Sequence, residues 1–197
     1  MDRERVAEVS RKTSETDIRL SLNLDGSGKW RIDTGVPFFD HMLSHVAVHG
    51  LLDLDLTCRG DIEVDAHHTV EDVGIALGDA LASAVGDKRG LVRYGSALLP
   101  MDEALAQVAL DFSGRGLLVC EAVFPTSKVG QFDSELVPEF LRALAHHAGV
   151  TLHVTVLHGA NTHHIIEAIY KGLGRALYQA LSLDPRRADV PSTKGVL

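Results

Sequence analysis

The feature that most constrains the fold of this chain is a stretch that occurs twice. When His67 is aligned with His163, seven of the fifteen columns in 67–81 and 163–177 are identical, without a gap. Both copies begin with His-His-x-x-Glu and end with Ala-Leu. Agreement of this length between two distant segments indicates an internal repeat, and the repeat decides the architecture.

The hydrophobic pattern divides the chain in the same way. Each half reads as strands, a helix, a strand and a second helix, with the helices expected at about 37–50, 67–85, 134–147 and 163–181. The turn "DKRG" separates the halves, at about 1–88 and 89–197, and "DGSG" (25–28) is expected to close a β-hairpin. We therefore predict one α+β domain of two pseudo-symmetric halves, with helices packed between two antiparallel sheets.

Composition and charge exclude several classes of function. The net charge of −8 argues against nucleic acid or an anionic membrane as the main partner. Cys58 and Cys120 have no metal-binding or redox spacing, which favours a reducing compartment. No apolar run reaches membrane-spanning length, so we expect a soluble, cytoplasmic protein.

The repeated His-His-x-x-Glu pattern is suited to binding metal ions. On a helix, His67 and Glu71 are at i and i+4 and share a face, so both can reach one cation. His68 is rotated by roughly 100° around the axis and would serve a second cation or a neighbouring chain. The second copy offers the same arrangement with His163, His164 and Glu167.

Residues upstream of each copy complete two sets of four ligands. With a two-residue gap, the repeat sets His41 opposite Glu139. Mixed imidazole and carboxylate ligands suit a six-coordinate ion such as Mn2+ with two open positions, whereas zinc favours thiolates or three histidines. Open positions on a Lewis-acidic ion indicate catalysis. The role of His49 stays open, and ordinary surface or helix-end roles are expected for His45, His146, His147, His153 and His158.

Several long segments carry a resemblance to a known family: "RKTSETDI", "GVPFFDHML", "DAHHTVED", "PMDEAL", "DFSGRG", "GANTHHIIEA" and "PSTKGVL". With them the chain resembles imidazoleglycerol-phosphate dehydratase, the lyase of histidine biosynthesis, over nearly its whole length. The resemblance implies a fold like ribosomal protein S5 domain 2 and two Mn2+ ions per active site. It also implies active sites shared between subunits of a cage-like homo-oligomer of about two dozen chains.

The resemblance further implies which residues bind each metal ion. One ion would be bound by His41, His68, His163 and Glu167. The other would be bound by His67, Glu71, His164 and the residue at position 139. This chain has Glu139 where other members carry histidine, and a carboxylate still suits Mn2+.

The implied reaction is dehydration of D-erythro-imidazole-glycerol 3-phosphate to imidazole-acetol phosphate. A metal ion at the ring nitrogens would stabilise an imidazolate-like intermediate, and a carboxylate would act as base. Glu15 and Glu167 are the candidate bases, and Glu15 is preferred because Glu167 is used as a metal ligand. The implied substrate contacts are Glu15, His49, Arg93, Arg115, Lys171, Ser192, Thr193 and Lys194.

Two other functions remain compatible with the ligand pattern. One is a dinuclear metallohydrolase, and the other is a non-catalytic oligomeric scaffold held together by metal ions. A scaffold has no use for phosphate-binding cations or for Glu15, so those residues separate it from an enzyme.

Overall fold

The computed structural model describes residues 4–197, which form two four-stranded sheets, a small hairpin and four helices. The first half contains β1 (Val6–Lys12), β2 (Thr16–Asn23), β3 (Trp30–Asp33), α1 (Pro37–Gly50), β4 (Asp53–Gly60) and α2 (His67–Val85). The second half contains β5 (Tyr94–Met101), β6 (Ala104–Asp111), β7 (Leu117–Glu121), β8 (Lys128–Val129), β9 (Phe132–Asp133), α3 (Leu136–Ala148), β10 (Thr151–His158) and α4 (Thr162–Leu181). The predicted α+β class is confirmed, and only the β8–β9 hairpin was not expected.

Both sheets have the same topology, as an internal repeat requires. Their strand orders are β1-β2-β4-β3 and β5-β6-β10-β7. The prediction of purely antiparallel sheets is wrong, because β3 pairs with β4, and β7 with β10, in parallel. The reason is the connection: a helix carries the chain from β3 to β4 and from β7 to β10, and such crossovers join parallel strands.

The "DGSG" segment does not close a hairpin, because β3 lies at the far edge of its sheet and does not pair with β2. A side chain from β4 stabilises the segment: the Asp53 carboxylate accepts hydrogen bonds from the backbone N–H groups of Ser27 (2.8 Å) and Lys29 (2.9 Å). The sequence therefore predicted the turn correctly, but the predicted pairing of β2 with β3 is wrong, because β3 pairs with β4.

Alternating and helical apolar patterns place the core between the sheets. In β2 the side chains of Ile18, Leu20 and Leu22 are buried, and the corresponding residues of β6 repeat the same burial pattern. Helix α2 packs on β1 and β2, and α4 packs on β5 and β6. The helices therefore form the inner layers, as predicted. The first sheet covers α1 and α2, and the second sheet covers α3 and α4.

Glycines set the close spacing between helices of different halves. A Cβ atom on Gly78 in α2 would lie 2.9 Å from the carbonyl oxygen of Leu144 and 3.0 Å from the nitrogen of Ala148, both in α3. A Cβ atom on Gly174 in α4 would lie 2.9 Å from the carbonyl oxygen of Val46 in α1. Gly78 and Gly174 occupy the same column of the repeat, so α2–α3 and α1–α4 are equivalent contacts.

Both histidine doublets lie at capped helix starts. The Asp65 side chain accepts a hydrogen bond from the backbone N–H of His67 (2.7 Å), and the Asn161 side chain accepts one from that of His163 (2.9 Å). Such caps satisfy backbone donors that a helix start leaves unpaired, and they fix the first turn. No helix within residues 4–197 has the length and apolar character needed to cross a membrane.

Candidate metal centre and anion pocket

The N-terminal turns of α1 and α4 bring imidazole and carboxylate donors together. Nε2 of His45 lies 3.3 Å from Nε2 of His41 and 3.3 Å from Oε1 of Glu167. Nε2 of His163 lies 3.2 Å from the other oxygen of Glu167. With bonds of about 2.1 Å, adjacent ligands of a six-coordinate ion stand about 3 Å apart. His41, His45 and Glu167 therefore have the spacing and chemistry of a divalent-cation site, and together with His163, on the other oxygen of Glu167, they form the α1–α4 cluster.

His45, for which a surface or helix-end position was expected, lies instead half-buried in the middle of α1, beside His41 and Glu167. One donor atom each from His41, His45 and Glu167 lie within 4.8 Å of one another. Burial, followed by the charge of His41, lowers the pKa of His45 to about 4, so its imidazole is neutral near pH 7 and available as a donor. The available signal was its i, i+4 spacing from His41, but the partner carboxylate lies far along the sequence.

Glu167 is a buried carboxylate that contacts Lys171 and two histidines. Burial would raise its pKa, but the hydrogen bond and charge of Lys171, together with His45 and His163, outweigh burial and lower the pKa. Nζ of Lys171 lies 2.5 Å from Oε1 of Glu167 and 3.4 Å from Sδ of Met101. The ionised form of Glu167 is thus favoured, as a metal ligand requires, and the lowered pKa makes the group a weaker proton acceptor.

Two predicted substrate contacts also accompany this cluster. Lys171 is one helical turn beyond Glu167, and the ring of His49 lies 5.9 Å from that of His45. Burial, followed by the charges of Lys171 and Arg175, lowers the pKa of His49. His49 and Lys171 therefore share the surroundings of the candidate cation site.

His68, the remaining member of the first predicted ligand set, is not part of the α1–α4 cluster. It is at the start of α2, where its Nδ1 donates a hydrogen bond to Oδ2 of Asp61 at 3.0 Å. Oε1 of Glu15 stands 3.7 Å from Nε2 of the same ring. Glu15 is on the turn between β1 and β2, where the Thr13 hydroxyl accepts its backbone N–H at 3.1 Å. The predicted base therefore faces the free nitrogen of a predicted ligand.

The members of the second predicted set lie in three places. Glu71 and Glu139 line one cavity of about 450 Å3 beside α2 and α3, where Glu139 also pairs with Arg142. His164 lies at the β5–β6 turn, with its Nδ1 2.7 Å from Oε2 of Glu103. His67 lies beside His68, with ring centroids 6.2 Å apart. Within residues 4–197 of one chain, neither set of four ligands is assembled.

A separate cavity of about 560 Å3 collects five of the predicted substrate contacts. This anion pocket is lined by Arg93, Arg115, Ser192, Thr193 and Lys194. Three cations and two hydroxyl groups around one open cavity have the chemistry required to bind a phosphate group.

The cations of the anion pocket differ in how firmly they are held. Arg93 donates to both carboxylate oxygens of Asp111 (2.6 and 3.0 Å) and to the carbonyl oxygen of Pro191 (2.8 Å), which leaves two of its five N–H groups. No side-chain hydrogen bond or ion pair engages the guanidinium of Arg115 or the ammonium of Lys194 in the described part of the chain. Arg93 thus anchors the C-terminal segment, while Arg115 and Lys194 keep their donors for a ligand.

Comparisons with known proteins identify one family. A sequence model of the family described as imidazoleglycerol-phosphate dehydratase matches residues 34–177. Relatives of that name include the proteins of Dinoroseobacter shibae, 60% identical over 98% of this chain and 100% of the relative, and of Moorella thermoacetica, 57% identical over 98% of each.

Solved structures give the same result. The imidazoleglycerol-phosphate dehydratase of Staphylococcus aureus is 41% identical, with a TM-score of 0.83 over 91% of this chain and 99% of that one. The enzyme of Pyrococcus furiosus, solved in complex with (S)-C348, is 37% identical, with a TM-score of 0.84 over 96% of this chain and 100% of that one. The likeness spans both halves of the fold.

Proposed function

This chain belongs to the imidazoleglycerol-phosphate dehydratase family, a family of lyases in histidine biosynthesis, and we propose that it converts D-erythro-imidazole-glycerol 3-phosphate to imidazole-acetol phosphate. The proposal rests on two features of one chain. One is the histidine–carboxylate cluster between α1 and α4, and the other is the anion pocket, where Arg115 and Lys194 have no side-chain partner in the described residues. A substrate with an imidazole at one end and a phosphate at the other matches both. A metal-bound scaffold would not need the pocket.

We assign two Mn2+ ions to each active site, because the clustered donors are imidazoles and carboxylates with no thiolate among them. The first ion would be held by His41, His68, His163 and Glu167. The second would be held by His67, Glu71, Glu139 and His164. When bound, Mn2+ supplies Lewis acidity that draws electron density from the substrate's imidazole ring.

The proposed active site is completed by a second copy of the chain. His41, His163 and Glu167 lie together, whereas His68 lies with Glu15 and Asp61. Because one chain offers two incomplete sets, contact between chains is the direct way to complete them. A homo-oligomer with active sites at its interfaces follows from this proposal.

The chain's own residues supply proton transfer and substrate orientation. Glu15 accepts the proton from the reacting carbon and returns it to the departing hydroxyl group, which leaves as water, and the resulting enol tautomerises to the ketone of the product. Glu15 is a better base than Glu167, because both carboxylate oxygens of Glu167 are already engaged by His45, His163 and Lys171. Arg115 and Lys194 bind the phosphate and hold the ring end at the metal ligands.

The test compares two variants with matched controls in a turnover assay with imidazole glycerol phosphate and Mn2+. We expect Glu15→Gln to lower kcat by about 10²- to 10⁴-fold, the usual effect of removing a general base. We expect Arg115→Ala mainly to raise KM, because it removes a phosphate contact that is present before and during the reaction.

Glu8→Gln, on the exposed face of β1, and Arg31→Ala, on an exposed edge of the first sheet, are the controls. Both should retain wild-type kinetics. Unchanged turnover in Glu15→Gln would remove Glu15 from the mechanism. A wild-type protein that binds Mn2+ but does not dehydrate the substrate would contradict the proposed function itself.

A further inference from the structure

We propose that Asp61 and Glu103 are positioning residues, one in each half, that orient the second histidine of each doublet for metal binding. The inference rests on the proposed function and deepens it. Each carboxylate accepts a hydrogen bond from Nδ1 of one histidine, so that the lone pair of Nε2 faces outward. Neither residue touches the substrate in this proposal.

In the first half, the carboxylate comes from the end of β4. Oδ2 and Oδ1 of Asp61 lie 3.0 and 3.2 Å from Nδ1 of His68, and the side chain of Asp61 is 23% exposed. The backbone of Asp61 is also fixed, because its N–H donates to the carbonyl oxygen of Glu15 at 3.1 Å. One residue thus links the ring of His68 to the turn that carries the proposed base.

In the second half, the carboxylate comes from the turn before β6. Oε2 of Glu103 lies 2.7 Å from Nδ1 of His164. Oε1 of the same group accepts the backbone N–H groups of Ala160 (3.0 Å) and Asn161 (2.8 Å), at the start of α4. With both oxygens engaged, Glu103 holds the imidazole in a single orientation relative to the helix.

The two carboxylates are not equivalent positions in the repeat. The residue that follows β4 is Asp61, but the residue that follows β10 is Gly159. The residue that precedes β6 is Glu103, and the residue that precedes β2 is Glu15, which faces the other ring nitrogen. The same Nδ1 contact is therefore made from two unrelated places. Inheritance from a common half does not explain it, whereas a requirement of the histidine does.

The opposite nitrogen is left open in both rings. Nε2 of His68 is 3.7 Å from Glu15, and Nε2 of His164 is 3.7 Å from Asp102, both beyond hydrogen-bond range. An ionised carboxylate only accepts, so Nδ1 carries the proton of this hydrogen bond, and Nε2 is the ring atom through which a metal ion would bind. Metal-binding histidines usually donate their other N–H in this way, and loss of such a partner costs about 10- to 100-fold in metal affinity.

The test is Mn2+ binding to the full-length, assembled protein, measured by equilibrium dialysis or electron paramagnetic resonance. Because His68 and His164 belong to different ligand sets, Asp61→Ala should weaken one class of Mn2+ sites by about 10- to 100-fold and leave the other class unchanged. Glu103→Ala should weaken the opposite class. Asp61→Asn and Glu103→Gln should lose less affinity, because a neutral amide oxygen still accepts a weaker hydrogen bond.

Glu63→Gln is the matched control, an exposed acid in the same loop as Asp61, and it should bind Mn2+ like the wild type. Equal weakening of both classes, or of neither, would overturn the positioning roles. If an alanine variant fails to fold, the same comparison is made with the Asn and Gln variants. A wild-type chain that binds no Mn2+ would instead contradict the proposed function, so the two failures are distinguishable.

Discussion

Replacing Gly78 with alanine separates two opposing effects at the α2–α3 contact. Helix propensity alone predicts that Gly78→Ala stabilises the protein by about 1 kcal/mol, because glycine is the poorer helix former. The structure predicts the opposite sign. The new Cβ would lie 2.6 Å from Cβ of His147, 2.9 Å from the carbonyl oxygen of Leu144 and 3.0 Å from the nitrogen of Ala148.

The size of the effect follows from what can move. Two of the three close atoms belong to the backbone of α3, which cannot rotate away, so the helices must separate by several tenths of an ångström. Overpacking of this kind costs about 1–3 kcal/mol, and two backbone contacts place it in the upper part of that range. After the gain in propensity, Gly78→Ala should lose about 1–2 kcal/mol, or about 2–8 °C in Tm for a chain of this size.

The assay is urea unfolding of metal-free protein at one fixed chain concentration, because assembly changes apparent stability. Ala82→Gly, at an exposed position of the same helix, is the control and should lose only the propensity difference of about 1 kcal/mol. A Gly78→Ala protein more stable than the wild type would refute the packing argument. Because Glu71 is on α2 and Glu139 on α3, separation of these helices should also weaken Mn2+ binding by the second set.

Two further predictions concern pH and metal removal. Backbone N–H groups, first that of Ser27 and then that of Lys29, lower the pKa of Asp53 below its ordinary 3.8, so its contribution to stability is complete above that pH and is lost as the pH falls further. Unfolding of wild type and Asp53→Asn should therefore differ by a constant amount above pH 5 and converge in acid; a gap that widens in acid would contradict this sign. Removal of metal with EDTA should abolish turnover and reduce the particle size in gel filtration, because the proposed ligand sets join residues of different chains; an unchanged particle would count against shared sites.

The sequence predicted the helices well because each carries its own signal. Apolar residues at helical spacing mark α2, and seven identities relate it to α4. The pairing of β3 could not be predicted in the same way. Its neighbour is decided by the crossover through α1 and by Asp53, which is distant in sequence from the turn that it holds.

Site residues could be predicted where a short sequence motif marks them, and could not where only packing of distant segments brings them together. Arg115 and Lys194 were named as substrate contacts, and the structure places them in one pocket. The position of His45 beside the cluster was not predicted, because it depends on Glu167, which α1–α4 packing brings to it. The division of each ligand set between places also depends on packing, since residues on α2 and α4 point to different parts of the surface.

The two helix–helix contacts have a consequence for how such a chain can arise. The first helix of each half packs on the second helix of the other half, as α1 on α4 and α3 on α2. Exchanging the halves turns one contact into the other, so a chain of half the length could satisfy both by forming a symmetric dimer with itself. Fusion into one polypeptide removes the demand that both partners be identical. Corresponding positions can then carry different residues, as His41 and Glu139 do. In a dimer of identical protomers, both positions would have to carry the same residue.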